Sequence, residues 1–290
     1  MAKLSDLQAS KTHRVCVFGG PKTGKTELVG RLSEYFNLLW FDLENGWDTL
    51  LKFPQEWKER IELIRIPDTK VYPIAIETIL KVVKGSLTEI CDEHGKVSCP
   101  MCKKDSKSFT SVTLNELGTD TIVVFDSGTQ LANSAMNHIT KNQPDVYKPE
   151  WDDYRNQGAL MEKFLSQVQQ APYNVCFITH EAETEMEDGK KKIVPIAGTP
   201  NFSRNTAKYF DDVIYCETKN KKHMFGSATT YSNNILTGSR TDIMLENDEF
   251  PTLLRVFKPE LFPEIPMREQ PKTPAQQAVR NLATMVRTPK

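Results

Sequence analysis

The chain has 290 residues, 39% hydrophobic and 26% charged, with a formal net charge of −1 at pH 7. That length and polarity suit a soluble protein with one sizeable core and room for a small appendage. A charge so near zero excludes nucleic-acid binding by a global field and leaves only local basic patches. No apolar run is long enough to span a bilayer, and the opening MAKLSDLQASKTHR lacks the apolar stretch of a secretory signal. No membrane association and a cytoplasmic location are therefore expected.

Short apolar runs alternate with longer amphipathic ones, which predicts an α/β fold with a mostly parallel central sheet flanked by helices. After an N-terminal arm over 1–11, the first strand is Arg14-Val15-Cys16-Val17-Phe18. A helix follows with Leu28, Val29, Leu32 and Phe36 on one stripe, then a buried strand from Leu38 that ends in acidic residues at Asp42 and Glu44. A third strand is expected at Ile61–Ile66 and a helix from about Pro73 to Val83. A cysteine-rich segment interrupts the rhythm, which resumes with a strand over Thr121–Asp126. Two helical stretches follow, the second with Leu160, Phe164 and Val168 on one face, and then a buried strand, Val175–Thr179. Shorter strands are expected at 213–216, 235–237 and 253–256. The residues from 264 to 290 are rich in Pro, Gln, Thr and Arg and read as a flexible tail.

Gly19-Gly20-Pro21-Lys22-Thr23-Gly24-Lys25-Thr26 matches G-x-x-x-x-G-K-[ST] in full, between a strand and a helix. Such a loop turns backbone N–H groups inward around an anion at a helix N-terminus. Lys25 is expected to reach the β- and γ-phosphates of ATP, and the Thr26 hydroxyl to ligate Mg²⁺. Asp126, which closes its apolar strand, is expected to be the second metal-site carboxylate, holding a water on Mg²⁺. Glu44 either positions and deprotonates the attacking water or caps the helix beginning near Asn45 to Asp48. His180 either senses the γ-phosphate or is a satisfied polar residue at the sheet edge.

Six cysteines fall into two groups. Cys16, Cys176 and Cys216 lie inside strand-like runs and read as small buried hydrophobes. Cys91-x₂-His94-x₄-Cys99-x₂-Cys102 supplies four ligands of the type tetrahedral Zn²⁺ favours. With no open coordination position, the zinc is expected to be structural and to order a small inserted module over about 88–112. The alternative is a flexible insertion with reduced cysteines. Nearby Lys96, Lys103, Lys104 and Lys107 contact phosphates or merely solvate the loop.

Taken together, Phe41-Asp42-Leu43-Glu44, Val124-Phe125-Asp126-Ser127 and Ser203–Phe210 resemble, in this order, segments of the RecA-like ATPases. Within them, Phe18 to Thr26 and the compact length look most like the phage-encoded single-strand annealing ATPases of the Sak type, over roughly residues 12 to 260. The resemblance implies a RecA-like P-loop NTPase domain over 12–263. It further implies ATP-modulated binding of single-stranded DNA, annealing or pairing in recombination, and assembly into rings or filaments. The setting would be the cytoplasm of a bacterial host, with a single-strand binding protein as a candidate partner of the tail.

In such assemblies a neighbour supplies a cation to the γ-phosphate, for which Arg240, Lys221 and Lys222 are candidates. The Thr179-His180-Glu181 ending departs from the family's more usual Thr-Asn-Gln-like one. For DNA, the polar stretch after His180 offers Lys190, Lys191 and Lys192, followed by Phe202, Arg204 and Lys208, a set of cations plus an aromatic that suits a single strand. Lys219, Lys221, Lys222 and His223 make a second basic cluster. The competing readings are a P-loop switch acting as a helicase loader or adaptor with little turnover, and a P-loop kinase, for which no clear lid is visible.

Overall fold

In chain order the elements are β1 (Arg14–Gly19), α1 (Lys25–Gly30), β2 (Asn37–Asp42), α2 (Gln55–Lys58), β3 (Ile61–Arg65), α3 (Ala75–Val82), β4 (Thr88–Cys91), α4 (Pro100–Lys104) and β5 (Phe109–Val112). They continue with β6 (Thr121–Asp126), α5 (Gly128–Thr140), α6 (Trp151–Gln169), β7 (Asn174–Glu185), β8 (Lys191–Pro195) and α7 (Pro200–Ser203). The last are β9 (Asp212–Lys219), β10 (Lys222–Gly226), β11 (Gly238–Ser239) and α8 (Pro251–Phe257). The computed structural model describes residues 12–185, 189–220, 222–226, 234–240, 251–258 and 261. The expected arm and tail, and Lys221, lie outside the described residues.

Six parallel strands run in the order β9-β1-β7-β6-β2-β3, with β10 and β11 antiparallel on β9 and β8 antiparallel on the far half of β7. The unbroken apolar runs of these strands divide by period two between two cores. Cys16, Phe18, Leu39, Phe41, Val123 and Phe125 face the layer that also holds Ile76, Leu131 and Phe164 of α3, α5 and α6. Val15, Val17, Leu38, Trp40, Ile122 and Val124 face the other, with Leu28 of α1 and Leu253 of α8. All twelve of these strand residues are at most 5% exposed. At roughly 1.5–3 kcal/mol per large buried side chain, this two-faced burial stabilises the central strands.

The last expected strand is corrected: Leu253 to Val256 lie in helix α8. A short apolar run suits a buried helix as well as a strand, and packing decides between them. Here Leu253, Leu254 and Val256 are buried while Arg255 is half-buried, and Phe257 meets Phe36 edge-on at 5.8 Å. The strand expected at 235–237 also shifts. Ile235 makes only an isolated bridge to Ile193, and the strand falls at Gly238–Ser239. Among the described residues no helix is long and apolar enough to cross a membrane.

Candidate functional site

The glycine loop leaves β1 at Gly19 and enters α1 at Lys25, at the carboxyl edge of the parallel strands. Gly24 precedes the helix in a left-handed conformation (φ 86°), which a side chain would resist. The Lys25 ammonium is only 6% exposed as a residue and donates to the carbonyls of Gly19 (3.0 Å) and Gly20 (2.6 Å). Burial lowers its pKa, against opposing fields from Cys216, Asp126, Glu44 and Glu181. The loop is thus a cradle of N–H groups with a buried cation in it, suited to a polyphosphate.

Strand β7 lies between β1 and β6, so Asp126 is not on the strand adjacent to the loop. It is nevertheless reached: the Thr26 hydroxyl donates to Asp126 Oδ2 at 3.1 Å. That spacing is close to the edge of an octahedral Mg²⁺ site, about 2.9 Å for bonds near 2.05 Å, so the pair fits a magnesium ion. Asp126 is 4% exposed, and burial, then the fields of Glu44 and Asp42, push its carboxyl up to about 7. A cation bound at this edge would relieve that repulsion.

Glu44 sits two residues beyond β2. The turn that follows is held by Asp42, whose Oδ1 accepts from the backbone N–H of Glu44 (3.2 Å) and of Gly46 (3.1 Å). The 3-10 turn Trp47–Lys52 that follows has no side-chain cap, so Glu44 does not cap it and is turned elsewhere. Its Oε1 accepts from the Ser127 hydroxyl, and its Oε2 is 3.5 Å from Nε2 of His180. Burial raises the Glu44 carboxyl, but the bonds from His180 and Ser127 outweigh it, and the net shift is downward. An ionised carboxylate with two partners stands at the mouth of the loop. His180 in turn is held by its backbone N–H, which donates to Thr129 Oγ1 at 3.0 Å.

These groups line a cavity of about 350 Å³ that takes in Pro21 to Glu27, Glu44, Asp126, Ser127 and His180. The same cavity is lined by Gly46, by Thr49 and Lys52 of the 3-10 turn Trp47–Lys52 that packs on α1, and by His223 of β10. Sequence reasoning missed Lys52 and Ser127 as site residues and put His223 with a DNA cluster. Ser127 follows Asp126 directly and could have been read with it, while Lys52 and His223 reach the cavity through packing between distant elements.

Arg240 is not brought to this cavity. It lies beyond β11 at the amino edge of the sheet, where its backbone N–H donates to Asp211 O (2.8 Å) and its guanidinium to Lys208 O (3.2 Å). Its other contact is with Asp211 Oδ1 at 3.7 Å, and Asp211 also pairs with Arg14 at 2.9 Å.

Strand β7 runs on past His180 into a hairpin with β8, and the basic residues follow its tip. Lys191 pairs with Glu183 at 2.6 Å, and Lys190 and Lys192 are exposed or half-buried beside it. Arg204 Nε donates to Thr184 Oγ1 at 3.1 Å, tying the end of α7 to the hairpin. Phe202 packs against the core and stacks on Tyr209 at 6.5 Å, so its ring is engaged inward rather than offered for base stacking. The Lys208 ammonium lies 4.8 Å from the centre of the Tyr209 ring.

The Cys/His segment forms a small sheet of β4 and β5 with α4 at its end. His94 Nδ1 lies 3.1 Å from Cys102 Sγ, 3.8 Å from Cys99 Sγ and 3.9 Å from Cys91 Sγ, and all four ligand atoms fall within 4.8 Å of one another. Zinc bonds of about 2.0–2.3 Å in a tetrahedron separate ligand atoms by about 3.3–3.8 Å, so the quartet fits the ion. Lys103 and Lys107 pair within the module, with Glu89 (3.7 Å) and Glu93 (2.8 Å).

A family model described as AAA domain matches residues 11–251. No curated protein matches significantly. Among solved structures, a prototypical ATPase from the type III secretion system of pathogenic bacteria matches at 14% identity, over 72% of this chain and 51% of its own, with a TM-score of 0.39. This chain spans about half the length of that ATPase. The family match covers most of the chain and includes the whole glycine-loop edge: the chain belongs to the AAA domain family and carries an AAA-type P-loop ATPase domain.

Proposed function

We propose that this chain is a Mg²⁺-dependent ATPase that acts on single-stranded DNA, in the manner of the phage Sak-type annealing ATPases its motifs resemble. In this reading it anneals or pairs strands during recombination. It works as a ring or filament of copies, beside a single-strand binding protein. The observation that carries the reading is the continuity of β7: the strand whose His180 approaches Glu44 is the strand that extends into the hairpin bearing Lys190, Lys191 and Lys192. A change at the γ-phosphate position is thereby one rigid element away from a basic hairpin. Occupancy by DNA phosphates would feed back along the same strand.

In this mechanism Lys25 and the loop N–H groups hold the β- and γ-phosphates, and Glu44 accepts the proton of the attacking water. Ser127 and His180 keep the Glu44 carboxylate aimed and ionised. Thr26 and Asp126 would hold Mg²⁺, which supplies charge neutralisation to the phosphates when bound. A cation from a neighbouring copy, with Arg240 or Lys222 as candidates, completes the charge at the γ-phosphate. Cys91, His94, Cys99 and Cys102 would hold Zn²⁺, which would order the inserted module when bound.

The test is ATP hydrolysis by the purified chain with and without single-stranded DNA, across a salt series. DNA stimulation that fades with salt is expected. Lys25→Ala should abolish turnover, and Glu44→Gln should lower kcat by roughly 100-fold or more with little change in KM. Hydrolysis indifferent to every DNA tested would refute the coupling and favour the loader or kinase reading.

A further inference from the structure

Strand β1 stops at Gly19, which pairs with Cys216 of β9, yet β9 runs on for three more residues to Lys219. The register of β10 on β9 then sets His223 opposite Thr218, two residues past the end of β1. The hairpin of β9 and β10 therefore overhangs the glycine loop. Its overhang brings the His223 ring against Gly24: a Cβ built on that glycine would lie 3.0 Å from Cγ, 3.2 Å from Nδ1 and 3.3 Å from Cδ2 of the imidazole. His223 lines the same cavity as Lys25, Thr26 and Asp126.

We propose that His223 is a nucleotide-binding residue, whose imidazole donates a hydrogen bond to the diphosphate of the bound nucleotide. This rests on the glycine loop being the phosphate site. Gly24 belongs to the loop that cradles the α- and β-phosphates, so a ring seated on it is beside that part of the ligand. The ring is also oriented. Nδ1 lies 3.3 Å from the Thr218 hydroxyl, and when that hydroxyl donates, the neutral imidazole carries its proton on Nε2. Among the described residues Nε2 has no partner, which leaves it for a phosphate oxygen. The second basic cluster read from the sequence thus divides. Lys219 and Lys222 face each other across its turn, while His223 is committed to the loop.

The experiment is displacement of a fluorescent ADP from the full chain, with ADP and with inorganic pyrophosphate as competitors, followed by anisotropy. Pyrophosphate separates a diphosphate contact from stacking on the base. His223→Ala is expected to weaken both competitors by about 10-fold, the loss typical of one hydrogen bond to a charged group. His223→Gln, which keeps an N–H donor at similar reach, should recover most of that loss. The side chain is exposed, so melting temperature should not move. Unchanged pyrophosphate affinity in His223→Ala overturns the proposal, including the case in which only ADP is weakened and the ring reads the base. Failure of the unsubstituted chain to bind either competitor would instead overturn the phosphate-site reading, which Lys25→Ala checks in parallel.

Discussion

Replacing Gly95 by alanine should unseat the Cys/His module from the ATPase core. Gly95 is buried and holds φ at 62°, a left-handed conformation that costs an alanine about 1 kcal/mol or more. A Cβ there would meet Arg65 O at 2.7 Å and Ile66 Cα at 2.7 Å, backbone atoms at and just past the end of β3, so no flexible side chain can give way. Overpacking of that kind adds roughly 1–3 kcal/mol. Any shift also stretches the buried bond from the Thr78 hydroxyl of α3 to Gly95 O, now 2.9 Å, worth about 1 kcal/mol.

The total is roughly 3–5 kcal/mol, or a fall in melting temperature of roughly 5–8 °C for a chain of this size. Gly158, inside α6 with nothing within 4 Å of its added Cβ, is the contrast. There the same change should stabilise by up to about 1 kcal/mol. Thermal unfolding of both variants beside the unsubstituted chain measures the pair. Equal melting temperatures for Gly95→Ala and the parent would refute the close seating of the module on β3.

Two further outcomes are expected. Burial pushes the Asp42 carboxyl up, against lowering bonds from the backbone N–H groups of Gly46, Glu44 and Asn45. A raised acid penalises the folded state only above its unfolded value near 3.9, increasingly as pH rises towards the folded one. The parent chain should therefore lose stability relative to Asp42→Asn as pH climbs above about 4 in urea titrations. A difference independent of pH would contradict this. Native mass spectrometry should find one zinc per chain, and chelation or Cys102→Ser should remove it and expose 88–112 to protease. Full protection after chelation would refute a metal-ordered module.

The P-loop, the Asp126 strand and the Cys/His quartet were legible because each is a local pattern. The loop needs glycines at set offsets, and the quartet lies within twelve residues, so chain geometry alone limits how its ligands can be arranged. The period-two burial of β1, β2 and β6 was legible for the same reason, since the dihedrals of a strand alternate its side chains whatever its neighbours are. Strand order was not. Nothing local says that β7 separates β1 from β6, or that Asp42 rather than Glu44 holds the turn after β2.

The sequence by itself determined the chemical inventory of the edge: a loop lysine, a hydroxyl, acidic residues at strand ends and four metal-type ligands. The tertiary structure alone decided which of these meet. It joined Thr26 to Asp126, and Glu44 to Ser127 and His180. It turned Phe202 inward, set Leu253 to Val256 in a helix and laid His223 on Gly24. Those choices depend on pairing and packing between segments far apart in the chain. Their energies come from burial shared among many residues, so no short stretch of sequence carries them.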